Sequence, residues 1–383
     1  MKVYIDVSEF MKIKVITGIQ RVVREILVRI LKNDDINTVL IEYSEKTKKF
    51  IVIDNERFMK YFEDEIGEQD NLSSHISLDI NDLESGSVFF DLDVAWTSNL
   101  KRSYLLPILK RNGVKIAAQI YDIMEITHFQ YFETYFTYTF MEYIGAHLLY
   151  SDLIIVSTRA SLRILEEFAH KCGIKHINGV VAHLGADFKP QTSVTSEVRP
   201  EVKKIGAMGK YLLMVGTIEP RKNHQLVLDA FDKGLDDLGI NIIFAGRIGW
   251  IKQEFLDRMY NHKQYGKRIF HIDKASNADI DYLYKNAFVV AFPTHMEGFG
   301  LPLVEALERQ TPVVATNIDV LKEIGKNYCE YFEDDNVDDF IKCVRKLMKQ
   351  SNYEGKKRLL KNYQVFTWDE SAKIMMDAIL DLN

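Results

Sequence analysis

Two carboxylates eight positions apart, Glu297 and Glu305, bracket the stretch Gly298-Phe299-Gly300-Leu301-Pro302-Leu303-Val304. The apolar run ahead of them, residues 287–292, reads as a buried parallel strand. Residues 303–308 behind have helical character and no breaker. Gly298 and Gly300 let the backbone approach a ligand closely, and the helix start offers free N–H groups to an anion. A phosphate-bearing ligand with hydroxyls for the carboxylates satisfies all of these groups, and a nucleotide sugar is one. A second set lies in Val215-Gly216-Thr217-Ile218-Glu219-Pro220-Arg221-Lys222-Asn223. A strand ends at Gly216, a polar turn follows, and residues 223–231 are helical. Arg221 and Lys222 sit where strand end meets helix start. Together they can neutralise a pyrophosphate, arginine with a planar fork and lysine as a point charge.

These segments need a scaffold that brings strand ends together. Strand-like and helix-like stretches alternate along the chain, which predicts parallel sheets with crossover helices. In the first half, residues 3–7, 88–92, 114–120 and 153–156 read as strands, and 19–31 and 161–169 as helices. Residues 45–80 are charged and irregular and carry no assignment. Residues 188–209 lack apolar periodicity and read as an interdomain linker. Later strands are expected at 211–216, 241–245, 269–272, 288–292 and 312–315.

The chain has 383 residues, 47% hydrophobic and 27% charged, enough for two soluble globular domains. A net charge of −6 gives no nucleic-acid signature. Cys172, Cys329 and Cys343 lack metal-ligand spacing, which suggests a reducing compartment. The opening strand leaves no room for a signal peptide, and no apolar run is long enough to span a bilayer. The expected location is cytoplasmic, with the cytoplasmic face of the inner membrane as an alternative.

Glu297 and Glu305, with the surrounding Glu-Gly-Phe-Gly-Leu-Pro, resemble the paired-glutamate motif of the retaining glycosyltransferases of family four, the glycosyl transferases group 1. The Gly216 to Asn223 turn resembles the family's phosphate-binding signature. The resemblance covers nearly the whole chain and implies the GT-B architecture: two doubly wound, Rossmann-like α/β domains with an interdomain cleft. It implies an acceptor-binding domain over 1–190, a nucleotide-sugar domain over 205–366, and a crossover helix over 367–383 returning to the first domain. Thr367 and Glu370 have the spacing of a capping box at that helix start. By the same resemblance Arg221 and Lys222 stabilise the leaving diphosphate, and Gly216 lets it approach. Glu305 takes the ribose hydroxyls and Glu297 the donor sugar. Gly298, Phe299, Gly300 and Leu301 line the donor, and its base lies near Ile272-Asp273-Lys274.

In the first half, Thr17-Gly18-Ile19-Gln20-Arg21 looks like the family's glycine loop. Gly18, Ile19 and Arg21 are candidates for acceptor or phosphate contact, and a glycine needed only for a turn is the other reading of Gly18. Family members often carry histidine-aspartate where this chain has Tyr121-Asp122, so Asp122 is the candidate there. His128 is a second candidate, with a structural role as its other reading, and His183 reads as structural. Asp91-Leu92-Asp93 has Asp-x-Asp spacing but lies at a strand end, and the resemblance implies that no metal or other cofactor is required. The aromatics at 129–150 read as a buried helix pair, with an acceptor groove or membrane-facing surface as the alternative. Lys101, Arg102, Lys110, Arg111 and Lys115 are expected to form a basic rim. The implied reaction moves a hexose from a GDP- or UDP-linked donor, GDP-mannose favoured, to a glycan or lipid-linked glycan in bacterial surface-polysaccharide assembly. Two alternatives are a sugar-nucleotide epimerase of the same fold and a catalytically silent glycan- or nucleotide-binding subunit.

Overall fold

The computed structural model describes residues 1–12, 18–62, 72–187 and 197–382. Thr17, residues 63–71 and the linker residues 188–196 lie outside the described residues. The chain divides into two compact units, Met1–Gly185 with Phe366–Asn383, and Ala186–Val365.

The first unit runs β1 (Lys2–Asp6), α1 (Ser8–Lys12), α2 (Gly18–Ile30), β2 (Asn37–Ser44), β3 (Lys49–Ile53), α3 (Asn55–Phe62), β4 (Ser73–Leu78) and β5 (Val88–Asp91). It continues with α4 (Arg102–Arg111), β6 (Lys115–Ile120), α5 (Met124–Thr127), α6 (Thr134–Tyr150), β7 (Leu153–Val156), α7 (Arg159–Lys171) and β8 (Gly179–Val181). Its sheet has the order β4-β3-β2-β1-β5-β6-β7-β8. All neighbours are parallel except β2–β3 and β3–β4, which are antiparallel. β5 and β7 are buried along their whole length, as strands covered by helices on both faces must be.

The second unit runs α8 (Pro200–Gly206), β9 (Tyr211–Val215), α9 (His224–Ala230), β10 (Asn241–Ala245), α10 (Gln253–Tyr260), β11 (Ile269–Ile272) and α11 (Asn277–Asn286). There follow β12 (Val289–Phe292), α12 (Leu301–Glu308), β13 (Val313–Thr316), α13 (Asp319–Gly325), β14 (Cys329–Phe332), α14 (Val337–Met348) and α15 (Gln350–Leu360). Its sheet is parallel throughout, in the order β11-β10-β9-β12-β13-β14. The order reverses between β9 and β12, the position at whose carboxyl ends open α/β sheets place their ligands. The last helix, α16 (Trp368–Leu380), belongs to the first unit and packs on α2. Trp368 is 1% exposed, Arg29 Nε meets Asp369 at 2.6 Å, and Thr367 and Glu370 form the capping box.

Four expectations are corrected. Residues 200–206 are a helix rather than linker: Arg199 ahead of it donates from N and Nε to Asp279 on α11 at 2.9 and 2.7 Å, which ties α8 into the second unit. That unit begins at Ala186, ahead of the expected 205. Arg102 is not part of a basic rim. It is 1% exposed and forms ion pairs with Asp91 at 2.6 Å and Asp6 at 2.9 Å. Lys110 pairs with Asp152 at 2.6 Å, and Lys115 donates to the Leu382 carbonyl. The aromatic segment is not a buried helix pair. Phe140 and Tyr143 are buried, but Phe129, Tyr135 and Tyr138 are 64%, 70% and 68% exposed.

The Asp-x-Asp spacing serves packing. Asp91 takes Arg102 and also His147 Nε2, at 2.9 Å. Burial alone would push its carboxyl up, and Arg102 and His147 overcome this and hold it well below the usual carboxylate range. Asp93 accepts from the backbone N–H groups of Val94, at 2.7 Å, and Phe10. Arg102→Leu strands two buried carboxylates, so urea unfolding should show a loss of about 3–5 kcal/mol. A change below about 1 kcal/mol would mean that the carboxylates reach water or protonate at little cost.

His224, the first residue of α9, is 1% exposed between Phe244 and Phe255, and neither ring nitrogen has a hydrogen-bond partner. Burial, and then the charge of Lys222, push its pKa down to about 3 from 6.5. A depressed folded pKa gives stability that is present above 6.5 and lost as pH falls towards 3. His224→Phe should therefore flatten the acid limb of a stability–pH curve for the second unit. An unchanged acid limb would exonerate His224.

Candidate active site

The site is built on the two loops that flank the strand-order reversal. β9 ends at Val215, and Gly216 follows with φ of 137°, a backbone that side chains rarely adopt. Pro220 then fixes a short 3-10 turn over Pro220–Lys222, and Asn223 takes the left-handed conformation with φ of 56°. Its side chain caps α9 by accepting from Leu226 N at 3.2 Å. This geometry turns Arg221 and Lys222 toward the loop that leaves β12.

That loop begins at Pro293. Thr294, fully buried, sits beside three oxygens: the Arg221 carbonyl at 3.1 Å, the Met296 carbonyl at 2.9 Å and Glu297 Oε1 at 3.2 Å. His295 N donates to the Arg221 carbonyl at 2.9 Å. The two loops are thus joined through backbone before any ligand is considered. Gly300, with φ of 106°, precedes α12, and a Cβ there would come within 3.0 Å of Leu321. Pro302 lies in the first turn of that helix, where its missing N–H costs nothing.

Glu297 is the centre of the charge arrangement. Its Oε1 receives Arg221 Nη1 at 3.0 Å and Lys222 Nζ. Arg221 Nη1 also donates to the Met296 carbonyl at 3.2 Å, and Arg221 Nε pairs with Glu219 at 2.7 Å. Lys222 lies 5.0 Å over the Phe292 ring. The side chains of Glu219, Lys222 and Glu297 are each less than a tenth exposed. Burial alone would push the Glu297 carboxyl up; Lys222 and Arg221 overcome this and hold it down. Burial draws the Lys222 ammonium below its ordinary value, against the pull of Glu297 and with the push of Arg221. Burial also raises the Glu219 carboxyl, opposed by Arg221 and Lys222. Two cations and two carboxylates thus form one near-neutral, solvent-poor group beside a glycine turn and a helix start. Such a group presents positive charge to an incoming anion without reorganising solvent.

The other predicted residues fall into three places. Gly298 and Phe299 are buried and Leu301 half-buried in the loop and first turn of α12. Glu305 lies on α12, 9% exposed, and accepts from Tyr284 OH at 3.0 Å. Ile272 and Lys274 lie at the carboxyl end of β11, two strands from β9, with Lys274 exposed and at φ of 48°. Gly18, Ile19, Arg21 and Asp122 belong to the first unit. Gly18 opens α2 and is exposed; Arg21 lies 6.0 Å over the Trp368 ring. Asp122 accepts from Met124 N at 2.9 Å and so starts α5. His128 bonds Thr127 at 2.8 Å, and His183 packs edge-on against Phe366. Sequence reasoning missed Glu219, Thr294 and Tyr284. Glu219 stood in plain view two residues ahead of Arg221; the other two lack any local signal.

Residues 196–364 match the family model described as Glycosyl transferases group 1. Over 198 residues, 51% of this chain, the sequence is 30% identical to the serotype-specific mannosyltransferase WbdA of Escherichia coli. It spans 24% of that protein's length. It is also 30% identical over 142 residues to the O-antigen chain mannosyltransferase B of Escherichia coli, covering 36% of each chain. Among solved structures, HepE of Anabaena in complex with UDP-glucose superposes with a TM-score of 0.66, at 11% identity over 100% of both chains. Sucrose-phosphate synthase from Thermosynechococcus elongatus gives 0.65 at 13% identity, over 100% of this chain and 98% of that one. The fold is therefore GT-B, with two Rossmann-like units, and the match to the glycosyl transferases group 1 model lies within the second of them.

Proposed function

We propose that this protein is a retaining glycosyltransferase that moves mannose from GDP-mannose to a hydroxyl of a glycan or lipid-linked glycan in bacterial surface-polysaccharide assembly. The observation that carries the transfer reading is the buried group of Arg221, Lys222, Glu219 and Glu297 at the carboxyl ends of β9 and β12. The choice of mannose and of an O-antigen-like product leans on the names of the mannosyltransferases that this chain resembles.

Negative charge builds on the diphosphate as its bond to the anomeric carbon stretches. Arg221 and Lys222, already oriented by their carboxylates, take that charge, and the N–H groups at the start of α12 add to it. Glu297 is held where it can turn to the sugar hydroxyls once the phosphate claims its two cations. Glu305, fixed by Tyr284, takes the ribose hydroxyls. The acceptor hydroxyl attacks from the face that the diphosphate leaves and passes its proton to the departing phosphate oxygen, which retains configuration. The charges of Arg221 and Lys222 take the place of a metal ion in this scheme. The acceptor is assigned to the first unit, with Gly18, Ile19 and Asp122 as its contacts; Arg21, stacked on Trp368, suits a packing role better.

Arg221→Ala should lower turnover on the order of a hundredfold to a thousandfold, as loss of a transition-state charge partner does. Wild-type turnover in that variant would remove Arg221 from the chemistry. Nucleoside diphosphate release measured with and without acceptor separates the rivals. Release that needs acceptor supports transfer; release of an altered free sugar without acceptor is epimerase behaviour; no release from any donor leaves a binding subunit.

The location proposed is the cytoplasmic face of the inner membrane. The first two turns of α6 carry exposed Tyr135, Phe136, Tyr138 and Met141 and no charged side chain. Aromatic rings of this kind settle at a lipid interface. The protein should float with vesicles containing anionic lipid at low salt, and Tyr135→Ser with Tyr138→Ser should weaken this. Protein that stays with the soluble fraction at every lipid concentration would rule the location out.

A further inference from the structure

The loop between β10 and α10, residues 246–252, carries exposed side chains to which the proposed chemistry gives no role. It is fastened tightly to the turn that holds Arg221. Ile218 N donates to the Arg247 carbonyl at 2.8 Å and Gly249 N to the Ile218 carbonyl at 2.9 Å, while Gly246 N reaches the Ile272 carbonyl of β11 at 3.0 Å. There is no room for slack. A Cβ on Gly246 would stand 1.9 Å from the Gly216 carbonyl oxygen, and one on Gly249 would stand 2.6 Å from Thr217 Cγ2. This stitched loop nevertheless leaves Arg247 exposed, Ile248 41% exposed and Trp250 47% exposed. The charge of Arg247 already acts on the buried ionic group, since it opposes the upward shift of Glu219.

Strand order says what passes over the loop. β10 lies between β11 and β9. The proposed base end of the donor is at Ile272 and Lys274, beyond β11, and the proposed diphosphate end is at Arg221 and Lys222, beyond β9. Two strand spacings, about 10 Å, separate those ends. A nucleoside diphosphate laid between them must cross the carboxyl end of β10. We infer that the 246–250 loop is a further donor-binding element, in which Arg247 contacts the phosphate–ribose portion and Trp250 offers its face to the nucleobase. This rests on the nucleotide-sugar reading above.

The test uses the full chain with UDP, GDP and the corresponding free nucleosides as probes. Of the three tryptophans, Trp368 is buried and Trp96 half-buried, so Trp250 should dominate any change in emission on binding. Binding of the preferred diphosphate should alter tryptophan emission in the wild type, and Trp250→Phe should abolish that response. By calorimetry Trp250→Ala should weaken the diphosphate about tenfold, within the range that base–aromatic stacking supplies. Arg247→Ala should weaken the diphosphate by a similar factor and leave nucleoside affinity unchanged. Wild-type affinity in either variant, in protein with native far-UV circular dichroism, overturns the role given to that residue. A retained emission response in Trp250→Phe overturns the aromatic contact. Wild-type protein that binds neither UDP nor GDP overturns the nucleotide reading itself, and this inference with it.

Discussion

A buried carboxylate holding two cations organises the second unit. Glu297 binds both Arg221 and Lys222, and Glu219 takes the far side of Arg221. None of these charges would tolerate burial alone, because the desolvation cost of an isolated ion in a protein interior amounts to several kcal/mol. Together they cancel, and the cancellation requires that the loops from β9 and β12 meet. The Thr294 hydroxyl and the His295 N–H, both donating to the Arg221 carbonyl, complete that meeting. An arrangement of this kind contributes little net stability and much preorganisation. Its charges are set before a ligand arrives, and an anion need only exchange places with one carboxylate.

The first unit solves a similar electrostatic problem to a different end. Arg102 is enclosed by Asp6 and Asp91, and Asp91 is further held by His147. Here the helix-start N–H is already taken: Ser8 N, at the start of α1, donates to Asp6 at 3.0 Å. Arg102 at the start of α4 pairs with carboxylates at the carboxyl ends of β1 and β5, so the cluster pins two strands and α4 together. The same residue types therefore hold a fold in one unit and poise a site in the other. What separates the two is the setting: the second group lies beside the glycine turn at Gly216 and the loop that leads into α12.

Much of the fold was legible because parallel strands covered on both faces must be continuous apolar runs. β7, β10 and β11 fall where the apolar runs at 153–156, 241–245 and 269–272 predict them. β2, β3 and β4 escaped because none is a continuous buried run: β2 and β3 mix buried with part-exposed positions and β4 has no buried position at all. α8 escaped because a seven-residue helix with one buried side chain leaves almost no periodic trace. The aromatic segment misled for a related reason. Aromatic density signals burial on average, yet Tyr135, Phe136 and Tyr138 in the first turns of α6 stay exposed among the described residues, and α6 enters the core from Phe140.

By itself the sequence determined which backbone could form a phosphate-accepting turn. Gly216, Asn223 and Gly300 tolerate conformations that other side chains resist, and the cations and carboxylates stand at fixed distances from them along the chain. Only the tertiary structure decided that Arg221 and Lys222 share one carboxylate, 76 and 75 residues away, that Arg102 is sealed inside, and that Trp250 stands outside. Local propensity is written in neighbouring residues. Which charges neutralise each other depends on how strands order themselves in a sheet, and burial then sets how strongly each charge needs its partner.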